Sequence, residues 1–192
     1  LPLADVPRWY AEHKPRDTVA VRHDGQELTW EALERGANRR ARAFADRGVK
    51  AGDFVAIGLP NSNAFYETSF AVWKLGATPT SLSHRLPRGE VAGILEVLKP
   101  ALVVGGEPDW NAPNAVPQTF EPEGFSDEPL DRPVARYWKA MTSGGSTGRP
   151  KIILDHNPAV TDIDAAPILG MQHGMALLNP GPLYHNAPFL VT

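Results

Sequence analysis

The chain has 192 residues, a length that fits one domain or one domain with a further fragment. Its 19 lysines and arginines against 22 aspartates and glutamates give a formal net charge of -3, which argues against a nucleic-acid binder that works through bulk positive charge. Cysteine is absent, which excludes disulfides, thiolate metal sites and a cysteine nucleophile, and no apolar run approaches the ~20 residues of a membrane helix.

The first 50 residues predict a short helix, a hairpin and a long helix. Pro7 suits the first turn of a helix over residues 6–12, and strands over 18–22 and 26–28 flank the turn His23-Asp24-Gly25. Thr29 is a candidate cap for a helix with an apolar stripe that ends near Gly48. Four arginines lie largely off that stripe, and a solvated helix face is favoured over a phosphate-binding patch: Arg35, Arg39, Arg40 and Arg42.

Residues 52–104 alternate between short apolar runs and amphipathic segments. We predict strands over 54–59, 77–82 and 102–104, with helices over 63–75 and 87–98 between them. Strands that alternate with helices in this way are typical of a parallel sheet with helices packed against it. The sequence therefore predicts an α/β fold with a mainly parallel sheet flanked by helices.

An acidic, proline-rich segment interrupts this alternation. Residues 105–133 hold seven acidic residues, one arginine and six prolines, and their apolar residues show no period. We interpret them as a surface loop or a partly disordered connector. After it we predict strands over 137–141, 151–154 and 175–178, a helix over 161–170 and another helix from residue 184 onward.

A segment rich in glycine and hydroxyl groups lies between two of these strands. It reads Thr142-Ser143-Gly144-Gly145-Ser146-Thr147-Gly148-Arg149-Pro150-Lys151. Glycines let backbone N–H groups turn toward an anion, while the hydroxyls and Lys151 add donors and charge, a set that suits a polyphosphate. The spacing matches neither the Gly-Lys-Ser/Thr phosphate loop nor the dinucleotide fingerprint. Composition alone favours a phosphate site and a flexible linker about equally, and the apolar strand that follows disfavours a free linker.

The same segment resembles the phosphate-binding loop of the adenylate-forming superfamily, which includes acyl-CoA synthetases, peptide-synthetase adenylation domains and luciferases. The matching positions are Gly145, Ser146, Thr147, Gly148, Pro150 and Lys151, whereas Gly144 stands where serine is usual and Ile152 where glycine is usual. Three upstream segments resemble the family in the same order: Leu28-Thr29-Trp30-Glu31-Ala32-Leu33, Ala51-Gly52-Asp53-Phe54-Val55-Ala56 and Trp73-Lys74-Leu75-Gly76-Ala77. Pro182-Leu183-Tyr184-His185 resembles the family motif beside the acyl pocket.

The resemblance implies a ligase that works in two steps. A carboxylate attacks the α-phosphorus of ATP to give an acyl-adenylate and pyrophosphate, and a thiol, usually that of coenzyme A, then takes the acyl group. His185 is the implied catalytic residue between the carboxylate pocket and the adenylate, although a lone histidine is more often structural. The loop would bind the ATP phosphates, with Mg²⁺ bridging their oxygens, through Thr142, Ser143, Gly144, Gly145, Ser146, Thr147, Gly148 and Lys151. No metal ligand is assigned to the chain, because its other histidines lack ligand spacing.

The resemblance also implies that residues 1–192 are an incomplete N-terminal AMP-binding domain, the first part of the large domain of such an enzyme. The family continues beyond the point that matches Thr192, into the rest of this domain and a small C-terminal domain, so we expect the chain alone to be inactive. The implied activity is that of an acyl-CoA ligase, and the loop resembles a subset described as bile-acid or fatty-acid CoA ligases. Two alternatives are an adenylation domain that loads a carrier protein and a non-catalytic module. We expect a carboxylic-acid substrate, no nucleic-acid partner, no transmembrane segment and a cytoplasmic location, with a homodimer left open.

Overall fold

A computed structural model of the chain describes residues 1–106, 110, 112–143, 150–164 and 174–190. Its centre is a six-stranded sheet, accompanied by a separate two-stranded hairpin. The helices are a 3-10 turn at Leu3–Asp5, α1 (Val6–His13), α2 (Trp30–Asp46), α3 (Asn63–Lys74), α4 (Arg88–Leu98) and α5 (Asn186–Leu190). The strands are β1 (Val19–His23), β2 (Gln26–Thr29), β3 (Phe54–Gly58), β4 (Thr78–Ser81), β5 (Leu102–Gly105), β6 (Ala115–Val116), β7 (Ala140–Ser143) and β8 (Lys151–Leu154).

The elements predicted between residues 6 and 104 are confirmed, with small shifts at their ends. Asp24 and Gly25 join β1 to β2 with positive φ angles of 49° and 74°, as the turn of a two-residue hairpin requires. Thr29 Oγ1 accepts the Ala32 N–H at 3.1 Å, so the predicted cap of α2 is confirmed. Lys99 adopts a left-handed conformation and ends α4.

The central sheet has five parallel strands and an antiparallel edge strand. Its strand order is β6-β5-β3-β4-β7-β8, and the antiparallel pair is β7 with β8. The predicted α/β fold with a mainly parallel sheet is therefore confirmed. Because ligands of open α/β sheets bind beyond the carboxyl ends of the parallel strands, the end of β7 is a natural place for a site.

Alternation along β3 divides the apolar core into two layers. Val55 and Ile57 pack in the cluster that contains residues of α2 and α3, whereas Ala56 packs in the cluster that contains residues of α4. The residues of β5 divide in the same way. Since successive side chains of a strand point to opposite faces, helices cover both faces of the sheet.

The arginines of α2 bind the acidic segment that follows the sheet's short edge strand. Arg35 and Arg39 contact Asp127 Oδ2 at 2.7 and 3.2 Å, and Arg42 donates to backbone carbonyl oxygens of residues 126, 128 and 129. Arg40 is buried and donates to Glu67 Oε2 and to the carbonyl oxygen of residue 120, each at 2.8 Å. The predicted solvated face is wrong for Arg40, because its acceptors lie on α3 and on a segment 80 residues further along the chain.

Two predictions after residue 130 need correction. Residues 175–178 do not form a strand, and Leu177 and Leu178 are exposed, because an apolar run alone does not distinguish a strand from an extended segment. The strand predicted from residue 137 begins at Ala140. The helix predicted over 161–170 falls mostly on residues outside the described ones, and residues 161–164 are not helical. α5 confirms the helix predicted near the end of the chain, and none of the described helices has the length and apolarity to cross a bilayer.

Candidate functional site

The glycine-rich segment connects β7 to β8 at one edge of the sheet. Ser143, at the end of β7, pairs in register with Lys151, at the start of β8. The predicted phosphate ligands between them lie outside the described residues: Gly144, Gly145, Ser146, Thr147 and Gly148. Thr142, Ser143 and Lys151 therefore stand at the base of the connection, at the carboxyl end of β7, where the Lys151 side chain is exposed.

A cleft of about 470 Å³, here called the β7 cleft, opens beside this strand. Its volume lies within the range of small-molecule sites. Of the predicted site residues, Thr142 and His185 line the β7 cleft together, whereas Lys151 is not among its described lining residues. The remaining described wall consists of Lys139, Met141, Ile153, Leu154, Asp155, His156, Tyr184 and Asn186.

Asn61, which follows β3, fixes the segment that carries His185. Its Nδ2 donates to the Gly181 carbonyl oxygen at 3.0 Å, and its Oδ1 accepts the Leu183 N–H at 2.8 Å. The Leu183 side chain is buried, and the His185 N–H donates to the Pro182 carbonyl oxygen at 3.0 Å. Because an asparagine amide offers both a donor and an acceptor, one side chain at the end of a central strand ties this segment down at two points.

Phe189 anchors α5 in an aromatic cluster. Its ring centroid lies 5.9 Å from that of Phe65, 6.0 Å from Trp73 and 6.1 Å from Trp138. Trp73 Nε1 also donates to the Trp138 carbonyl oxygen at 2.6 Å. Since the Phe189 N–H donates to the His185 carbonyl oxygen at 3.1 Å, this cluster fixes the turn that presents His185 to the cleft.

Lys139 and Asp155 bring opposite charges to the wall of the β7 cleft. Lys139 is 4% exposed, and its Nζ lies 3.8 Å from the centroid of the Trp138 ring. Burial lowers the pKa of Lys139, and the negative charge of Asp155 opposes that shift. Burial pushes the pKa of Asp155 upward, but hydrogen bonds from Trp138 and Asn157, with the charge of Lys139, hold it below the usual value.

The motifs in the sequence did not point to Asn61, Lys139 or Asp155. A signal was present for Lys139, because a lysine inside a run predicted as a strand of the core is rarely buried without a reason. Asn61 and Asp155 follow strands, where asparagine and aspartate are ordinary turn residues, so neither stood out. His156 is exposed and also lines the cleft.

Residues 7–192 match the family described as AMP-binding enzyme. The fatty acid–[acyl-carrier-protein] ligase ScoC of Streptomyces coeruleorubidus is 30% identical over 191 residues, which cover 88% of this chain and 36% of ScoC. A feruloyl-CoA synthase of Amycolatopsis sp is 33% identical over 158 residues, which cover 78% of this chain and 32% of that protein. The chain therefore spans about a third of the length of each of these two relatives.

Solved structures show the same fold at lower sequence identity. The N-terminal subdomain of Klebsiella oxytoca NpsA aligns with a TM-score of 0.67 and 18% identity, over 80% of this chain and 41% of that one. The nonribosomal peptide synthetase FmoA3, in its AMPPNP-bound form, aligns with a TM-score of 0.69 and 21% identity, over 80% of this chain and 17% of that one. Because the family match extends over almost the whole sequence and the fold agrees, the chain belongs to the AMP-binding enzymes of the adenylate-forming superfamily.

Proposed function

We propose that this chain is the first part of an ATP-dependent ligase that activates a carboxylic acid as an acyl-adenylate and transfers the acyl group to coenzyme A. The observation that carries the proposal is that Thr142, at the base of the glycine-rich connection, lines the same cleft as His185. The feruloyl-CoA synthase among the relatives supports coenzyme A as the acceptor. The share of each relative that the chain spans supports its being part of a longer enzyme.

The residues around the end of β7 suit the phosphates of ATP. In the proposal, the Thr142 hydroxyl, the exposed Lys151 ammonium and the backbone N–H groups of residues 143–148 hold the phosphate oxygens. Negative charge builds on the departing pyrophosphate, so donors that are already in place stabilise the transition state more than the bound reactants. Mg²⁺ bound to the nucleotide would neutralise the phosphate oxygens. Among the described residues, no group of three or more histidine, aspartate or glutamate side chains could hold a metal ion.

His185 is proposed to contact the acid at the mouth of the β7 cleft. Its ring is exposed and packs against that of Tyr184, with centroids 4.7 Å apart. The anchors at Asn61 and Phe189 limit the motion of its backbone. A histidine held in this way can orient a carboxylate toward the α-phosphorus, and correct orientation of reactants lowers the barrier to attack.

A second candidate acceptor is the thiol of a carrier protein. It is favoured by ScoC, whose name describes an acyl-carrier-protein ligase. A dimodular nonribosomal peptide synthase of Bacillus subtilis is also 32% identical over 175 residues, which cover 84% of this chain and 7% of that protein. Both candidates share the adenylation step and differ in the thiol that follows it.

The test is carboxylate-dependent ATP–pyrophosphate exchange by the longer protein that contains this chain, with fatty, aryl and bile acids as substrates. Lys151→Ala should slow the exchange, while Lys14→Ala, which removes another exposed lysine, should not. Exchange that is unchanged in Lys151→Ala would refute its phosphate role. Coenzyme A and a phosphopantetheinylated carrier protein are then supplied in turn, and the one that consumes the adenylate identifies the acceptor. Exchange by residues 1–192 alone would contradict the expectation that they are inactive.

A further inference from the structure

We propose that Lys139 forms an anion subsite in the β7 cleft and binds a carboxylate of the acid substrate, an inference that rests on the proposed function. The residue lines the cleft together with Thr142 and His185. No motif in the sequence assigns it a role, and the matching loop residues begin only at position 145. The proposal concerns binding and orientation of the acid and leaves the chemistry at phosphorus unchanged.

Burial without an ion pair is the first reason. Lys139 is 4% exposed, yet within the described ranges no carboxylate lies within salt-bridge distance of its Nζ. Buried ammonium groups are costly unless they are paired and hydrogen-bonded. The face of the Trp138 ring offsets part of this cost but accepts no ordinary hydrogen bond from the three ammonium donors. An incoming carboxylate would supply both the charge and the acceptors.

The surroundings of Lys139 are the second reason. Asp155 lines the same cleft, but its Oδ1 already accepts the Asn157 N–H at 3.1 Å and Asn157 Nδ2 at 2.8 Å. That carboxylate is therefore held beside Asn157. Lys139 in contrast is held by the Trp138 ring at 3.8 Å, which fixes the ammonium on the wall of the cleft before any ligand arrives. A charged group that is already in place binds with less loss of conformational entropy.

Lys139 lies directly before β7, at the opposite end of the strand from the glycine-rich connection. It precedes Thr142 by three residues, on the side away from that connection. Along the chain, the lysine is therefore further from the glycine-rich connection than Thr142 is. Its anionic partner is either the carboxylate that becomes activated or a second carboxylate at the far end of the acid, and the chemistry of recognition is the same.

The test compares binding of octanoate and octanedioate to the longer protein that contains this chain, by isothermal titration calorimetry. Lys139→Met keeps an apolar chain of similar length against Trp138 and removes the charge, and it should weaken binding at least about tenfold. Lys139→Arg should bind close to wild type. Lys50→Met, which removes an exposed lysine that does not line the cleft, is the matched control and should also bind as wild type.

The two acids separate the sources of the anion. If Lys139→Met weakens the binding of both acids equally, the lysine binds the reacting carboxylate. If the wild type prefers octanedioate and Lys139→Met loses that preference, the lysine binds the second carboxylate. Unchanged affinity in Lys139→Met, or no saturable binding of either acid by the wild-type protein, overturns the subsite. ATP binding is measured in parallel. If the wild-type protein bound the acids but not ATP, the proposed function would be refuted and the anion subsite would not. Melting temperatures verify that each variant is folded.

Discussion

Asn61→Ala tests whether one side chain at the end of β3 positions the segment that carries His185. The substitution removes the donor to Gly181 and the acceptor for Leu183, whose distances are 3.0 and 2.8 Å. Each hydrogen bond contributes about 1 kcal/mol net, so the pair stabilises the attached segment by about 2 kcal/mol. Local opening of residues 181–185 should therefore become roughly 30-fold more frequent.

Hydrogen exchange of the Leu183 amide measures this opening directly, because that N–H is the one that Asn61 accepts. The rate should rise roughly 30-fold in Asn61→Ala. Asn61→Asp keeps an acceptor for Leu183 and loses the donor to Gly181, so its rate should fall between those of wild type and Asn61→Ala. If the Leu183 amide exchanged at the wild-type rate in Asn61→Ala, the anchor would not exist and another contact would position His185.

Three further predictions concern the packing that supports the site. Glu34→Gln should lower the free energy of unfolding, measured in urea, by about 3–5 kcal/mol, because Glu34 contacts the buried Lys74 ammonium at 2.8 and 2.9 Å. Glu34→Leu combined with Lys74→Met should recover most of this loss. If the double variant recovered none of it, an unpaired buried charge would not be its cause. The hydrogen bond from Arg35 holds the pKa of Asp127 below its ordinary 3.8, so the contact between Arg35 and Asp127 should persist above pH 3.8 and be lost as pH falls through the lower folded value. Nuclear magnetic resonance titration follows it, and an Asp127 carboxyl that titrates at or above 3.8 contradicts the contact. Phe189→Ala should lower the free energy of unfolding by about 3–5 kcal/mol, measured by thermal or urea denaturation, and Phe189→Leu should lower it clearly less. Equal losses in the two variants would show that the volume of the ring does not determine the stabilisation.

The sheet could be predicted because its signals are local in the sequence. Val55, Ala56 and Ile57 form one short apolar run, and the helices on either side of β4 have their own apolar stripes and end signals. Each of these features lies within about a dozen residues, the range over which periodicity is informative. The same local signals failed at residues 175–178, where an apolar run lies in an exposed, extended segment.

The charged contacts could not be predicted from such signals. Arg35 and Asp127 are separated by 92 residues, and nothing in the spacing of either residue identifies the other. The sequence showed four arginines on one helix and an acidic segment later in the chain. Their charges are complementary, but the sequence does not indicate which arginine pairs with which acidic residue. Only the fold, which brings residues 120–129 against α2, converts that complementarity into particular pairs.

Trp138 contacts both α5, which follows His185, and Lys139 on the wall of the β7 cleft. Its ring stacks on Phe189 of α5, and the same ring holds the Lys139 ammonium on the cleft wall. The aromatic cluster that presents His185 and the charge proposed to bind the acid therefore depend on one side chain. Lys151, which is proposed to bind the phosphates, does not share this dependence, because it lies at the exposed base of the hairpin. Substitutions in the aromatic cluster should consequently weaken binding of the acid more than binding of ATP, whereas Lys151→Ala should weaken binding of ATP more than binding of the acid.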